Sequence, residues 1–322
     1  MKKIIISSLL FLGAITFFSF YYISFHINQP KITDNYPPKI ISQIFYSPTI
    51  TPTPVNTVNI GLMGDLGLGR YITTIARQKN DFSWSFSGVS QLLQQNDFNL
   101  ANLESPIISN CPEGKTGTFT FCGDPQFLPQ LKQNKFILNL ANNHIFNYSE
   151  DGFSQTKSFL DSQKISYVFS HDSESEFFQT KINGISFGFL GFDLITYPNF
   201  DQSRIIKLIS KYNPQVDWLI VSIHWGNEYL PQAESWRVSL AHQMIDAGAD
   251  IIHGHHPHVI QNQEIYQNKP IYYSLGNFIF DQNWSKETST SEIINLTLTK
   301  SQIIKTETIP LTIKNNSRPE PN

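Results

Sequence analysis

Six short apolar runs in this chain each lead into residues that carry charge or can bind metal, and that recurring order limits what the chain can fold into. "TVNIGLMGD" (57–65), "FNLANLE" (98–104), "FILNLANNH" (136–144), "DWLIVSIHWG" (217–226), "ADIIHGHH" (249–256) and "PIYYSLGNF" (270–278) each read as a buried strand with a polar end. Between them, "SEDGFSQTKSFLDSQK" (149–164), "DQSRIIKLISKY" (201–212) and "PQAESWRVSLAHQMIDAG" (231–248) have helical spacing. "FFQTKINGISFGFLGF" (177–192) predicts a hairpin on Asn183-Gly184, and "SEIINLTLTKSQIIKTETIPLTI" predicts two more strands. The pattern is α/β without an internal repeat. In open α/β sheets, ligands bind at the strand ends where these residues gather.

Composition narrows the partners. With 322 residues, 40% of them hydrophobic, the chain can bury a large core. Its 23 basic and 26 acidic residues give a net charge of −3, and no basic run lies outside the extreme N-terminus, so no nucleic-acid partner is expected.

Lys2 and Lys3 precede an uncharged stretch, Ile4 to Phe25, that as a helix spans about 33 Å, enough for the apolar core of a bilayer. The segment 1–27 is expected to be a single-pass anchor with the rest of the chain outside the cytoplasm. A cleaved signal peptide is the rival reading, though no small-x-small site follows the apolar run. Residues 28–56, rich in Pro, Ser, Thr and Asn, read as a stiff linker to a domain over 57–313, and "KNNSRPEPN" (314–322) as a disordered tail. The only two cysteines, Cys111 and Cys122, flank a turn-rich segment. In an oxidising compartment they are expected to form a disulfide, two free thiols being the alternative.

The strand ends deliver Asp65, Glu104, Asn142, Asn143, His144, His224, Glu228 and the cluster His253, His255, His256 and His258. Carboxylate, amide oxygen and imidazole together suit Mn, Zn or Fe. Taken singly, Asp65 also suits a turn and His224 a packed core. Four imidazoles on one strand-to-loop junction are a poor core, yet not all four can ligate. Alternation puts His253 and His255 on one face.

"GLMGDLGLGR", "ANLESPI", "NLANNHIFNYSEDG", "SIHWGNEY", "GADIIHGHHPHVIQ" and "YYSLGNFIFDQ" together resemble the CapA, or poly-γ-glutamate capsule synthesis, family, a branch of the calcineurin-like metallophosphoesterases. The resemblance runs in order from about Asn59 to Gln282. It implies a four-layer sandwich of two β-sheets flanked by helices, with one or two divalent ions at the strand ends. It further implies Asp65, Glu104, Asn143, His224, His255 and His258 as metal ligands, and His144 beside Asn143 as the catalytic ring that assists the leaving group. Arg70, Glu228 and His256 fall to substrate binding or to support of the ligands. Arg70 either binds an anionic group or pairs with Glu104 or Glu228, and Asn277 and Asp281 tie down their loop. Two departures are plain: Leu66 and Gly67 follow Asp65 where the wider superfamily has Asp-x-His, and Glu104 replaces an Asp.

The expected function is metal-dependent hydrolysis acting on an anionic surface polymer or its precursor. The alternative is a non-catalytic component of a polymer synthase or export complex. A carbohydrate-binding module has no use for this donor set.

Overall fold

The computed structural model describes residues 56–114, 119–171, 174–197 and 201–322, so the expected anchor and the linker up to residue 55 lie outside the described residues. Among the described residues, no helix is long and apolar enough to cross a membrane.

The chain builds one sheet, leaves it for a second, and returns. Strands β1 (Val58–Leu66), β2 (Phe98–Leu103), β3 (Phe136–Asn139), β4 (Ser166–His171) and β5 (Glu174–Glu176) come first. Strands β6 (Phe178–Ile182), β7 (Ile185–Asp193), β8 (Trp218–His224), β9 (Ile251–His255), β10 (Gln263–Tyr266) and β11 (Lys269–Tyr272) form the second sheet. Strands β12 (Asn277–Ile279), β13 (Thr290–Leu298), β14 (Ile303–Lys314) and β15 (Arg318–Pro321) rejoin the first. Among the described residues, the first sheet has the order β15-β14-β13-β1-β2-β3-β4-β5 with β12 also on β1, and the second β10-β11-β9-β8-β7-β6. The heart of each is parallel, β1 to β4 in one and β7, β8, β9 and β11 in the other. Antiparallel hairpins close the edges of the second sheet, one of them turning on Asn183 (φ 50°) and Gly184 (φ 84°) as expected.

Helices α1 (Tyr71–Lys79), α2 (Ser90–Gln94), α3 (Leu128–Gln133) and α4 (Ser149–Gln163) cover the outer face of the first sheet. There Ile72, Leu93, Leu131 and Leu160 pack on Met63, Ala101, Leu103 and Leu138. Helices α5 (Gln202–Tyr212) and α6 (Ser235–Asp246) cover the second sheet through Ile205, Ile209, Leu240 and Met244. The start of α5 is set by Asp201, whose side chain accepts a hydrogen bond from the Ser203 amide at 2.9 Å. The order helix, sheet, sheet, helix is the four-layer sandwich expected.

The inner face of both sheets explains where the chemistry sits. Period-two alternation points Ile60 and Leu62, Phe98 and Leu100, Ile220, and Ile251 into one core between the sheets. Further along the same strands, the same face carries Asn102, then Ser222 and His224, then His253 and His255. Each strand is therefore apolar for its first half and polar toward its C-terminal end. In β1 the register slips between Leu62 and Asp65, and Leu66 joins the helix-side core. That irregularity moves Asp65 off the helix face, where plain alternation from Met63 would place it, and turns it toward the second sheet.

Two expectations are corrected. The run 270–278 is two strands: β11 belongs to the second sheet and β12 to the first, with Gly276 (φ 74°) at the crossing. Gly64 lies so close to this crossing that a Cβ on it would stand 1.8 Å from the Gly276 carbonyl oxygen. The tail is ordered, because Asn315 (φ 52°) and Asn316 (φ 55°) adopt the left-handed turn that returns β15 antiparallel along β14. Its prolines suit an edge strand. The disulfide Cys111–Cys122 forms as expected.

Leu100 is fully buried between the sheets. Leu100→Ala should therefore lose about 2–5 kcal/mol in urea unfolding of the chain, and a loss below about 1 kcal/mol would contradict a close-packed inter-sheet core.

Candidate metal centre

Asp65 ends β1, Glu104 follows β2, His224 ends β8 and His255 ends β9, so two strands of each sheet meet here. The loop after β3 adds Asn143 and His144. Asn142 is turned away, donating to Asn102 Oδ1 at 3.1 Å and the Leu103 carbonyl at 2.9 Å.

Asn102, which sequence reasoning passed over, organises the centre. Its amide nitrogen is 2.9 Å from Asp65 Oδ1, 3.2 Å from Glu104 Oε2 and 3.3 Å from His224 Nδ1. An amide nitrogen only donates, so His224 Nδ1 accepts. His224 Nε2 then faces Asn143 Oδ1 at 3.0 Å and His256 Nδ1 at 3.1 Å. The signal for Asn102 was its place two residues before Glu104, near the end of β2. Asn277 acts likewise on His258. Its amide nitrogen donates to the Thr288 carbonyl at 3.0 Å, so its oxygen accepts from His258 Nδ1 at 3.0 Å. His258 Nε2, left as an acceptor, faces Glu104 Oε1 at 3.5 Å.

Two acceptors so placed require a proton or a cation between them. Glu104 Oε1 and His255 Nδ1 are buried without a hydrogen-bond partner among the described residues. His255 Nε2 lies 3.0 Å from Ser222 Oγ, while its Nδ1 stands 3.5 Å from Asp65 Oδ1. Donor atoms of Asp65, Glu104 and His224 all lie within 4.8 Å of one another. The residues therefore fit a divalent ion by chemistry, proximity and unfilled donor sites.

The electrostatics agree. Burial and the neighbouring Asp65 charge push Glu104 well above the usual carboxylate range. Burial also acts on Asp65, but the His255 and His258 imidazoles beside it, at 3.5 and 3.2 Å, outweigh it and hold this carboxyl well below that range. Burial lowers His224 and His253 as well, and brings His256 down to about 3 and His144 to about 4.

His253 supports from within, its Nε2 lying 2.7 Å from the Met63 carbonyl oxygen across the two sheets. His256 (φ 95°) and His258 (φ 58°) sit on left-handed backbone, unusual for such side chains. Arg70 pairs with Asp281, a partner the sequence reading did not name, between the rings of Phe121 and Phe280. Its charge still acts on Glu104 and His144. Asp281 also accepts from the Tyr71 amide at 3.3 Å, and so ties its loop as expected.

A two-sheet α/β sandwich whose converging strand ends bury carboxylates, amides and imidazoles is a protein built around a polar centre of metal-ligand type. Residues 59–282 match the family described as "Bacterial capsule synthesis protein PGA_cap", and the chain belongs to that family. It is 30% identical to the PGA biosynthesis protein CapA of Bacillus subtilis (strain 168), covering 83% of this chain and 74% of that protein. It is 29% identical to the capsule biosynthesis protein CapA of Bacillus anthracis, covering 81% and 68%. A hypothetical protein from Thermus thermophilus, known by crystal structure, shares the fold with a TM-score of 0.54 at 13% identity, over 79% of this chain and 99% of that one.

The raised Glu104 has a consequence for the metal-free protein. A group whose folded pKa is raised contributes stability that is present below its unfolded pKa and lost as pH rises through the folded one. Starting from an ordinary value of 4.5, Glu104 thus erodes stability toward neutral pH. In EDTA, Glu104→Gln should exceed the parent in urea stability near pH 7.5, the difference shrinking toward pH 4.5. A variant less stable at both would show that Glu104 is not held above its ordinary range.

Proposed function

We propose that the chain is a membrane-anchored, extracytoplasmic metal-dependent hydrolase that cleaves a phosphoester or comparable bond in an anionic surface polymer or its precursor. The observation that carries this reading is the buried meeting of Asp65, Glu104 and His224 within 4.8 Å, with Glu104 Oε1 and His255 Nδ1 unpartnered beside them. Asp65, Glu104, Asn143, His224, His255 and His258 hold the ion, and Mn, Zn or Fe suits the set. A bound ion of this kind supplies Lewis acidity and lowers the pKa of a bound water.

The chain's own residues do the rest. Asn147 donates its amide hydrogen to His144 Nδ1 at 3.1 Å, which leaves the proton of the neutral ring on Nε2. That Nε2 stands 3.9 Å from Glu104 Oε1, so its N–H is directed at the centre, where it can donate a hydrogen bond to the charge that develops on a leaving oxygen. The aromatic face of Phe121, 4.5 Å from the imidazole centroid to centroid, holds the ring in place. Phe121 precedes the disulfide-bonded Cys122, so the crosslink steadies this wall.

The test pairs metal content with turnover of generic phosphodiester and phosphomonoester substrates in added Mn, Zn or Fe. The parent should bind metal and turn over, Asp65→Asn should lose the metal, and His144→Ala should keep it while losing about 10²–10⁴-fold in rate. Bound metal without turnover of any phosphoester would leave a non-catalytic role in polymer assembly.

The relatives named for capsule and PGA biosynthesis support a surface-polymer substrate. The uncharged segment Ile4–Phe25 and the disulfide support the location. In intact cells from which the wall has been removed, added protease should digest the domain while a membrane-bound N-terminal stub survives. Full protection of the domain until the cells are lysed would place it inside.

A further inference from the structure

Away from the metal centre, the two sheets part along one flank, where β10 and β11 of the second face β14 of the first. A cleft of about 310 Å³ lies there, with Gln263, Ile265, Pro270, Tyr272 and Ile303 in its walls. That is the volume of a small ligand pocket. Ile265 is 69% exposed, so this wall is open to solvent.

Strand alternation aims polar groups at this space. In β13, Ile294 and Leu296 face the inter-sheet core and Ile293 the helix side, so Glu292 also points between the sheets. In β11, Tyr272 joins the inter-sheet core, while Ile271 and Tyr273 join the helix side. Glu292 is 7% exposed and Tyr272 4%. Gln263 Nε2 donates to Glu292 Oε1, the one side-chain hydrogen bond Glu292 makes among the described residues, and none of these residues bonds the Tyr272 hydroxyl. The lysines of the adjoining strands are engaged elsewhere, Lys269 by Asp250 and Lys305 by Glu307. Burial holds the Glu292 carboxyl above its usual range, and burial followed by the Glu292 charge pushes Tyr272 up to about 12. A buried acid and a buried phenol with no cation between them pack less well than two apolar side chains would.

We propose that this cleft binds a primary amine on a short hydrocarbon chain, its ammonium on Glu292 and Tyr272 and its chain against Ile265, Pro270 and Ile303. An ammonium carries three donors and no acceptor. It matches the carboxylate, the phenol oxygen and Gln263 Oε1, which is left to accept because Gln263 donates through Nε2. Burying its charge requires an opposite charge, and Glu292 supplies it.

The test titrates the full-length chain with n-butylammonium chloride by calorimetry, with 1-butanol as the uncharged probe. One ammonium should bind per chain, saturating below about 10 mM, and butanol at least about tenfold more weakly. Glu292→Gln should weaken the ammonium at least about tenfold and Tyr272→Phe about threefold. Nα-acetyl-lysine N-methylamide separates the sources: its binding shows that a lysine side chain can supply the ammonium, its exclusion that a free amine does. No saturable binding of butylammonium, butanol bound as tightly, or unchanged affinity in both variants would overturn the site.

Discussion

Asp65 and Glu104 are two fully buried carboxylates that share the amide of one asparagine, Asn102. Burying one charge is expensive, and burying two of like sign side by side is tolerated only with donors, protons or cations around them. The surrounding structure provides these in layers. Asn102 donates to both acids, His255 and His258 stand within 3.5 Å of Asp65, and Asn277 and Ser222 engage those imidazoles in turn. Below this polar layer, the same strands present Leu62, Leu100, Ile220 and Ile251 to an apolar core. The rigid apolar half fixes the positions of the polar half, and the polar half is what requires such rigidity.

The path of the chain follows from the same need. Donors must come from both sheets, so the chain leaves the first sheet after β5 and returns at β12. The return passes directly over β1: the Asp65 amide donates to the Gly276 carbonyl at 3.0 Å, and only a glycine at position 64 leaves room for that carbonyl. Just past the crossing, Asn277 reaches His258. The crossing that joins the sheets thus also orients a ring of the centre.

This explains how much of the molecule was legible in sequence. The strand ends, the donor residues and the sandwich could be read, because each is written locally as an apolar run followed by a ligand-type residue. Asn102 escaped notice because only its nearness to Glu104 is written locally, while its other two partners, Asp65 and His224, come from β1 and β8. The split of 270–278 escaped because periodicity records burial but not which sheet does the burying. The ordered tail escaped for a related reason: "KNNSRPEPN" is polar and proline-rich, yet two asparagines that accept left-handed backbone are enough to fold it along an edge. One of the two readings of Arg70 paired it with Glu104 or Glu228, but the acid it pairs with is Asp281, 211 residues away in sequence.

Burial also sets the direction from which a substrate can approach. Asp65, Glu104 and His224 are inaccessible, whereas Asn143, His144 and Glu228 keep partial exposure. A substrate of the kind proposed would therefore meet the side of the centre that carries the His144 ring and Glu228, while Asp65, Glu104 and His224 stay shielded by the apolar core behind them. Exposed aromatic groups stand on this side: Tyr229 has its ring 6.3 Å from that of His258, and Trp284 packs edge-on to Tyr229. These two aromatic faces give any ligand that reaches His144 and Glu228 an apolar surface beside the charged centre.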